Sequence, residues 1–119
     1  MDSNGINVKS DQAPISIGLN EEVRGQVAAM LQKLLADEHV IYIKTRNYHW
    51  NVTGIQFQPL HTLFEEQYTE LAVHIDDLAE RIRSLGYFAV GSMEQFKGMT
   101  RLEETGHLEG DAHKMLQHL

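Results

Sequence analysis

The stretch from Tyr48 to Arg81, YHWNVTGIQFQPLHTLFEEQYTELAVHIDDLAER, constrains the fold of this chain more than any other. It carries five residues able to ligate a metal: His49, His61, Glu65, Asp76 and Glu80. From Pro59 onward the apolar residues recur at helical spacing, so the last four of these share one predicted helix. At about 100° per residue, counted from His61, Glu65 falls at about 40°, Asp76 at about 60° and Glu80 at about 100°. The apolar stripe of Leu60, Phe64, Leu71, Ile75, Leu78 and Ile82 centres at about 280° on the same wheel. The ligand strip therefore points away from the primary core. Thr69, Ala72 and Ala79 lie between the ligands and are short enough to admit another backbone. The pattern predicts a metal site at a helix–helix contact. The plain alternative is a solvated polar face.

Cysteine is absent, which excludes disulfides and thiolate sites. The donors that remain are His, Asp and Glu, a set that favours iron, manganese or zinc. A net charge of −7 suits the attraction of cations and argues against a surface built for DNA phosphates. No run of about 18 apolar residues offers a membrane span. The N-terminal residues lack the apolar segment of a secretory signal, so a cytoplasmic protein is expected.

Read in order, residues 1–19 show no period and are expected to form a flexible tail, and 20–119 a single all-α domain. Asn20 is a candidate N-cap, with Glu21 and Glu22 well placed for the helix dipole. A first helix is predicted from Glu21 to Trp50, with Val23, Val27, Met30, Leu31, Leu34, Ile41 and Tyr48 on one face. Glu38 lies near that stripe and is expected to pair with a cation. A second helix is predicted from Pro59 to Leu85, with Gly86 as its C′ residue. Two long helices and a short loop make an antiparallel hairpin. A short helix is expected around Met93–Lys97, and Gly106 and Gly110 keep the next segment irregular. Glu104 and His107 show a Glu-x-x-His spacing, but a poor helix context makes chance the better explanation. From Asp111 a further helical pattern begins and stops at Leu119. A bundle incomplete at its C-terminus is the expectation.

His61 with Glu65, and Asp76 with Glu80, are each one turn apart and can each offer two ligands to one ion. The pairs cannot share an ion on one helix, because Glu65 and Asp76 are separated by about 16 Å of rise. A twofold axis resolves this. If the helix packs antiparallel against a second copy, His61 and Glu65 of one chain meet Asp76 and Glu80 of the other. His49, at the end of the first helix, is close enough in sequence to join.

The runs NYHWNVTG, LHTLFEE and HIDDLAER resemble the Dps family, the mini-ferritins that protect DNA in starved bacteria. The resemblance covers about 20–119. It implies a ferritin-like four-helix bundle with a short helix after the second long one. It further implies a hollow dodecamer with ferroxidase sites at twofold interfaces. By position it assigns His49, His61 and Glu65 to one chain's half of the site, and Asp76 and Glu80 to the partner's. Trp50 resembles the family tryptophan that takes up oxidising equivalents. Glu65 departs from the aspartate that many members carry. The tail departs too: its one cation is Lys9, where DNA-binding members carry several lysines.

What the resemblance implies is a ferroxidase and iron store. Fe²⁺ would be oxidised, preferably by hydrogen peroxide rather than oxygen, and held as ferric mineral, limiting oxidative damage. Two other readings stay open: a nucleoid-associated DNA-binding protein with a vestigial site, and a zinc-binding or purely structural helical oligomer. Charge argues against the first of these.

Overall fold

The computed structural model describes residues 18–119. Most of the expected tail, with Lys9, therefore lies outside the described residues. Among those described, the regular elements are all helical: α1 (Glu21–Asn51), α2 (Phe57–Ser84), α3 (Met93–Met99) and α4 (Ala112–His118).

Local chemistry sets the helix ends. Asn20 caps α1, its side chain accepting from the Val23 N–H at 2.8 Å. α2 closes at Gly86, whose φ of 91° few other residues tolerate. Tyr87 N–H bonds back to Ile82 O and Gly86 N–H to Arg83 O, the paired bonds of a Schellman motif. Ser92 and Gln95 form a reciprocal capping box on α3. α3 thus occupies the place expected of the short helix, two residues longer than its predicted span. The Glu104–His107 stretch is not helical.

α1 and α2 pack antiparallel. An Arg24 guanidinium N–H donates to Leu85 O at one end of the pair, and His49 meets His61 at the other. The buried face of α1 is not the one its large apolar residues mark. Met30 is 70% exposed, and Val23 and Leu34 are exposed as well. The buried line instead uses Ala28, Gln32, Leu35, Ala36, Val40, Thr45 and Tyr48. Small residues let the second backbone approach, and the polar ones are satisfied. Gln32 donates to Phe88 O at 2.7 Å and accepts from Val90 N–H at 3.0 Å, while Thr45 donates to Ile41 O.

Two apolar clusters fill the seam. Leu35, Ala36, Ile82 and Phe96 form one, Tyr48, Val52, Phe64 and Met115 the other. Burying each large side chain contributes about 1.5–3 kcal/mol. Alongside them, Ile41 and Leu71 line an open groove of about 320 Å³.

Residues 100–111 are strapped along α1. The buried Asp37 carboxylate accepts from the Thr100 hydroxyl, the Arg101 backbone N–H and the Arg101 guanidinium, at 2.6–2.8 Å. Burial pushes its pKa up, but these donors prevail and hold it below the ordinary carboxylate value. Lys44 donates to the carbonyls of Glu103 and His118, and the Tyr48 and Thr105 hydroxyls bond each other. Glu38, expected to pair with a cation, faces the imidazoles of His74 and His39. Burial raises its pKa, and the histidines oppose the rise. No helix among the described residues is long and apolar enough to cross a membrane.

Candidate metal centre

The end of α1 is where the chain builds its most organised cluster of donors. Val52 N–H closes the last helical bond, to Tyr48 O. The next amide, Thr53 N–H, turns away to Gly110 O at 2.9 Å. The His49 carbonyl, one of the orphan acceptors of a helix C-terminus, is left to find another donor. It accepts from His61 Nδ1 at 2.7 Å, and His61 O accepts from His49 Nδ1 at the same distance.

This reciprocal pair fixes the chemistry of both rings. A backbone carbonyl can only accept, so each Nδ1 carries the proton. Each Nε2 then keeps its lone pair, the form in which imidazole binds a metal. The rings stack with centroids 3.8 Å apart and planes at 19°. Phe57 stacks on the far side of His61 at 4.9 Å, and Tyr68 meets His49 edge-on. His49 is buried, His61 half-buried and Glu65 exposed. One donor atom from each of these three lies within 4.8 Å of the others, so one cation can be reached by all three. Two imidazoles and a carboxylate, leaving open coordination positions, are the donor set of non-haem Fe²⁺ sites.

Asp76 and Glu80 stand apart from this group. With Asp77 they form a second cluster of carboxylates within 4.8 Å of one another, all exposed on α2. Asp77 falls off the strip read from the helix wheel. Its adjacency to Asp76 was the available signal. The rise between the two groups is about 16 Å along one continuous helix, so a single chain presents two separate clusters of candidate donors. Trp50 points outward, 59% exposed, with the Arg46 guanidinium 4.7 Å from its ring centroid.

Comparison with known proteins gives this arrangement a context. The model of the ferritin-like domain matches residues 28–119. A low temperature-induced protein of Nostoc sp. is 47% identical over 90 residues, which cover 76% of this chain and 50% of that protein. The structure of DpsC from Streptomyces coelicolor superposes with a TM-score of 0.86 at 26% identity, covering 92% of this chain and 63% of that one. The Dps protein of Vibrio cholerae O1, described as one of the ferritin-like diiron-carboxylate proteins, aligns with a TM-score of 0.75 at 34% identity. That alignment covers 87% of this chain and 68% of the other.

The chain belongs to the Dps family.

The expected all-α, ferritin-like fold is thereby borne out. This Dps chain nonetheless spans only about half the length of the Nostoc relative. Its α1–α2 hairpin carries every residue of the candidate metal centre. Sequence reasoning missed the aromatic lining, Phe57 and Tyr68, because nothing in the periodicity of α2 distinguishes a ring that frames a ligand from one that fills a core.

Proposed function

We propose that this protein is a ferroxidase and iron-storing mini-ferritin that works as a homo-oligomer in the cytoplasm. Fe²⁺ is its substrate. His49, His61 and Glu65 of one protomer hold the ion, and Asp76 and Glu80 of a twofold-related protomer complete the site. Glu80 is the residue suited to bridge a second iron. Hydrogen peroxide or oxygen takes the electrons, and the ferric product is stored as mineral, which limits oxidative damage.

The single observation that carries this reading is the reciprocal hydrogen bonding of His49 and His61. It presets two imidazoles in the metal-binding tautomer beside an exposed carboxylate. Anionic oxygen donors favour Fe³⁺ over Fe²⁺, so adding partner carboxylates drives oxidation. Two irons held together supply both electrons that peroxide needs, and no hydroxyl radical is released. The dodecameric shell is the form expected of the complete family architecture.

The test is stopped-flow oxidation of Fe²⁺ by peroxide, followed by the absorbance of ferric product. Rapid, saturable oxidation that Asp76→Ala/Glu80→Ala abolishes supports the reading. Oxidation no faster than in buffer would sink it.

A further inference from the structure

His39 is a further imidazole that the fold fixes in the metal-binding form. It lies half-buried on α1, well before His49. Its Nδ1 donates to Leu35 O, one turn back, at 2.9 Å. A carbonyl only accepts, so Nδ1 holds the proton and Nε2 keeps its lone pair. The ring stacks on Phe96, with centroids 3.8 Å apart and planes at 16°. Phe96 is itself buried on α3. The Ser92–Gln95 capping box holds one end of that helix, and the Thr100 hydroxyl bonded to Asp37 holds the other. The imidazole is thus clamped at Nδ1 and across one face.

The same ring lines a cavity of about 300 Å³ between α1, α2 and α3, and Asp76 lines it from α2. Leu35, Ile75 and Val90 make its walls largely apolar. Ala72 and Ala79, one turn on either side of Asp76, are too short to fill it. Two groups with lone pairs therefore share one cavity: a neutral imidazole nitrogen and a carboxylate. Both are acceptors, so neither can satisfy the other. A cation satisfies both at once, and the net charge of −7 favours its approach.

We propose that His39 and Asp76 bind a divalent transition-metal ion in this cavity, with water in the remaining positions. Imidazole nitrogen selects such an ion over Mg²⁺ and Ca²⁺, which prefer shells of oxygen. The site is separate from His49, His61 and Glu65, which converge at the end of α1. The Asp76 carboxylate has two oxygens, so one can serve the cavity and the other the centre shared between protomers. A second ion then waits one carboxylate away from the place of oxidation. That use for Fe²⁺ rests on the ferroxidase reading, whereas the binding itself stands on the cavity alone.

The experiment uses Zn²⁺, which is redox-inert. Crystals of the unaltered protein are soaked in it, and the ion is located by anomalous scattering. The expected result is an ion about 2.0–2.2 Å from His39 Nε2 and from an Asp76 oxygen. Titration calorimetry in solution should show one class of Zn²⁺ sites lost in His39→Phe, which retains a ring to stack on Phe96, and in His39→Gln. The class held by His49 and His61 should remain. The crystal arm needs no substitution, so it decides the matter even if both variants misfold. An ion at His49 and His61 with none at His39 overturns the inference and leaves the ferroxidase reading standing. Isotherms that neither substitution changes do the same, since they mean binding at crystal concentration only. No ion at either place overturns both.

Discussion

His49 and His61 hold each other in place, each ring's Nδ1 donating at 2.7 Å to the other's backbone carbonyl across the α1–α2 seam. The same two bonds dock the helix ends and set both tautomers, so under the proposed function metal binding is coupled to helix packing. His61→Ala removes a donor and releases the His49 ring. Fe²⁺ affinity should fall by at least about 10–100-fold, the range seen when groups that orient a ligand are lost. Anaerobic titration calorimetry measures it. An unchanged isotherm would mean the pair is only a packing device.

Asp37 gives the fold an acid-sensitive joint. Its carboxylate is buried and accepts four hydrogen bonds from Thr100 and Arg101. Its pKa is depressed in the folded state. Such a group contributes its full stability above the unfolded value of about 3.9 and loses it as pH falls through the lower, folded value. Asp37→Ala should cost about 1.5–3 kcal/mol at neutral pH, as for hydrogen bonds to a charged group. It should also flatten the loss of stability below about pH 4. Denaturant melts of both proteins at pH 7 and pH 3 test this. Parallel acid limbs would contradict it.

These two residues also mark the boundary of what the sequence discloses. Asn20 and Gly86 declare helix ends because capping is local chemistry, complete within a few residues, whereas the Ser92 capping box emerged only from the structure. The strip of His and carboxylate side chains on α2 is readable because one helix carries it. The buried side of α1 is not. Gln32 and Thr45 look like surface residues until the acceptors and donors that satisfy them are seen, and for Gln32 those lie some 56 residues away. Met30 looks like core and is exposed. The Asp37–Arg101 pair and the His49–His61 tie likewise depend on where the chain returns, and periodicity carries no record of that.

Gly110 pins the start of α4 to the loop after α1. Its φ is 75°, and an added Cβ would lie 2.7 Å from the Thr53 side chain and 2.8 Å from Asn51 O. Gly110→Ala combines a left-handed backbone, about 1–2 kcal/mol, with a backbone clash of about 1–3 kcal/mol. Gly98→Ala in α3 meets open space and should stabilise by up to about 1 kcal/mol. Thermal melts of the two variants should shift in opposite directions. Equal shifts would show that the Thr53–Gly110 contact is not maintained.

The net charge of −7 predicts weak interaction with nucleic acid. Plasmid DNA should show no mobility shift at about 150 mM salt, where contacts to a few phosphates fade. A tight, salt-resistant shift would reveal a basic surface that the overall balance conceals.

The central claim is that two protomers share each site, and mixing two inactive variants tests it most directly. His61→Ala lacks one half-site and Asp76→Ala/Glu80→Ala lacks the other. Each alone should oxidise Fe²⁺ slowly. Co-refolded in equal amounts, they form mixed dimers in which one of the two sites has both halves intact. If pairing is random and each dimer has two equivalent sites, activity should recover to about a quarter of the unaltered rate. A mixture that stays as inactive as its parts would contradict a site built across the twofold axis.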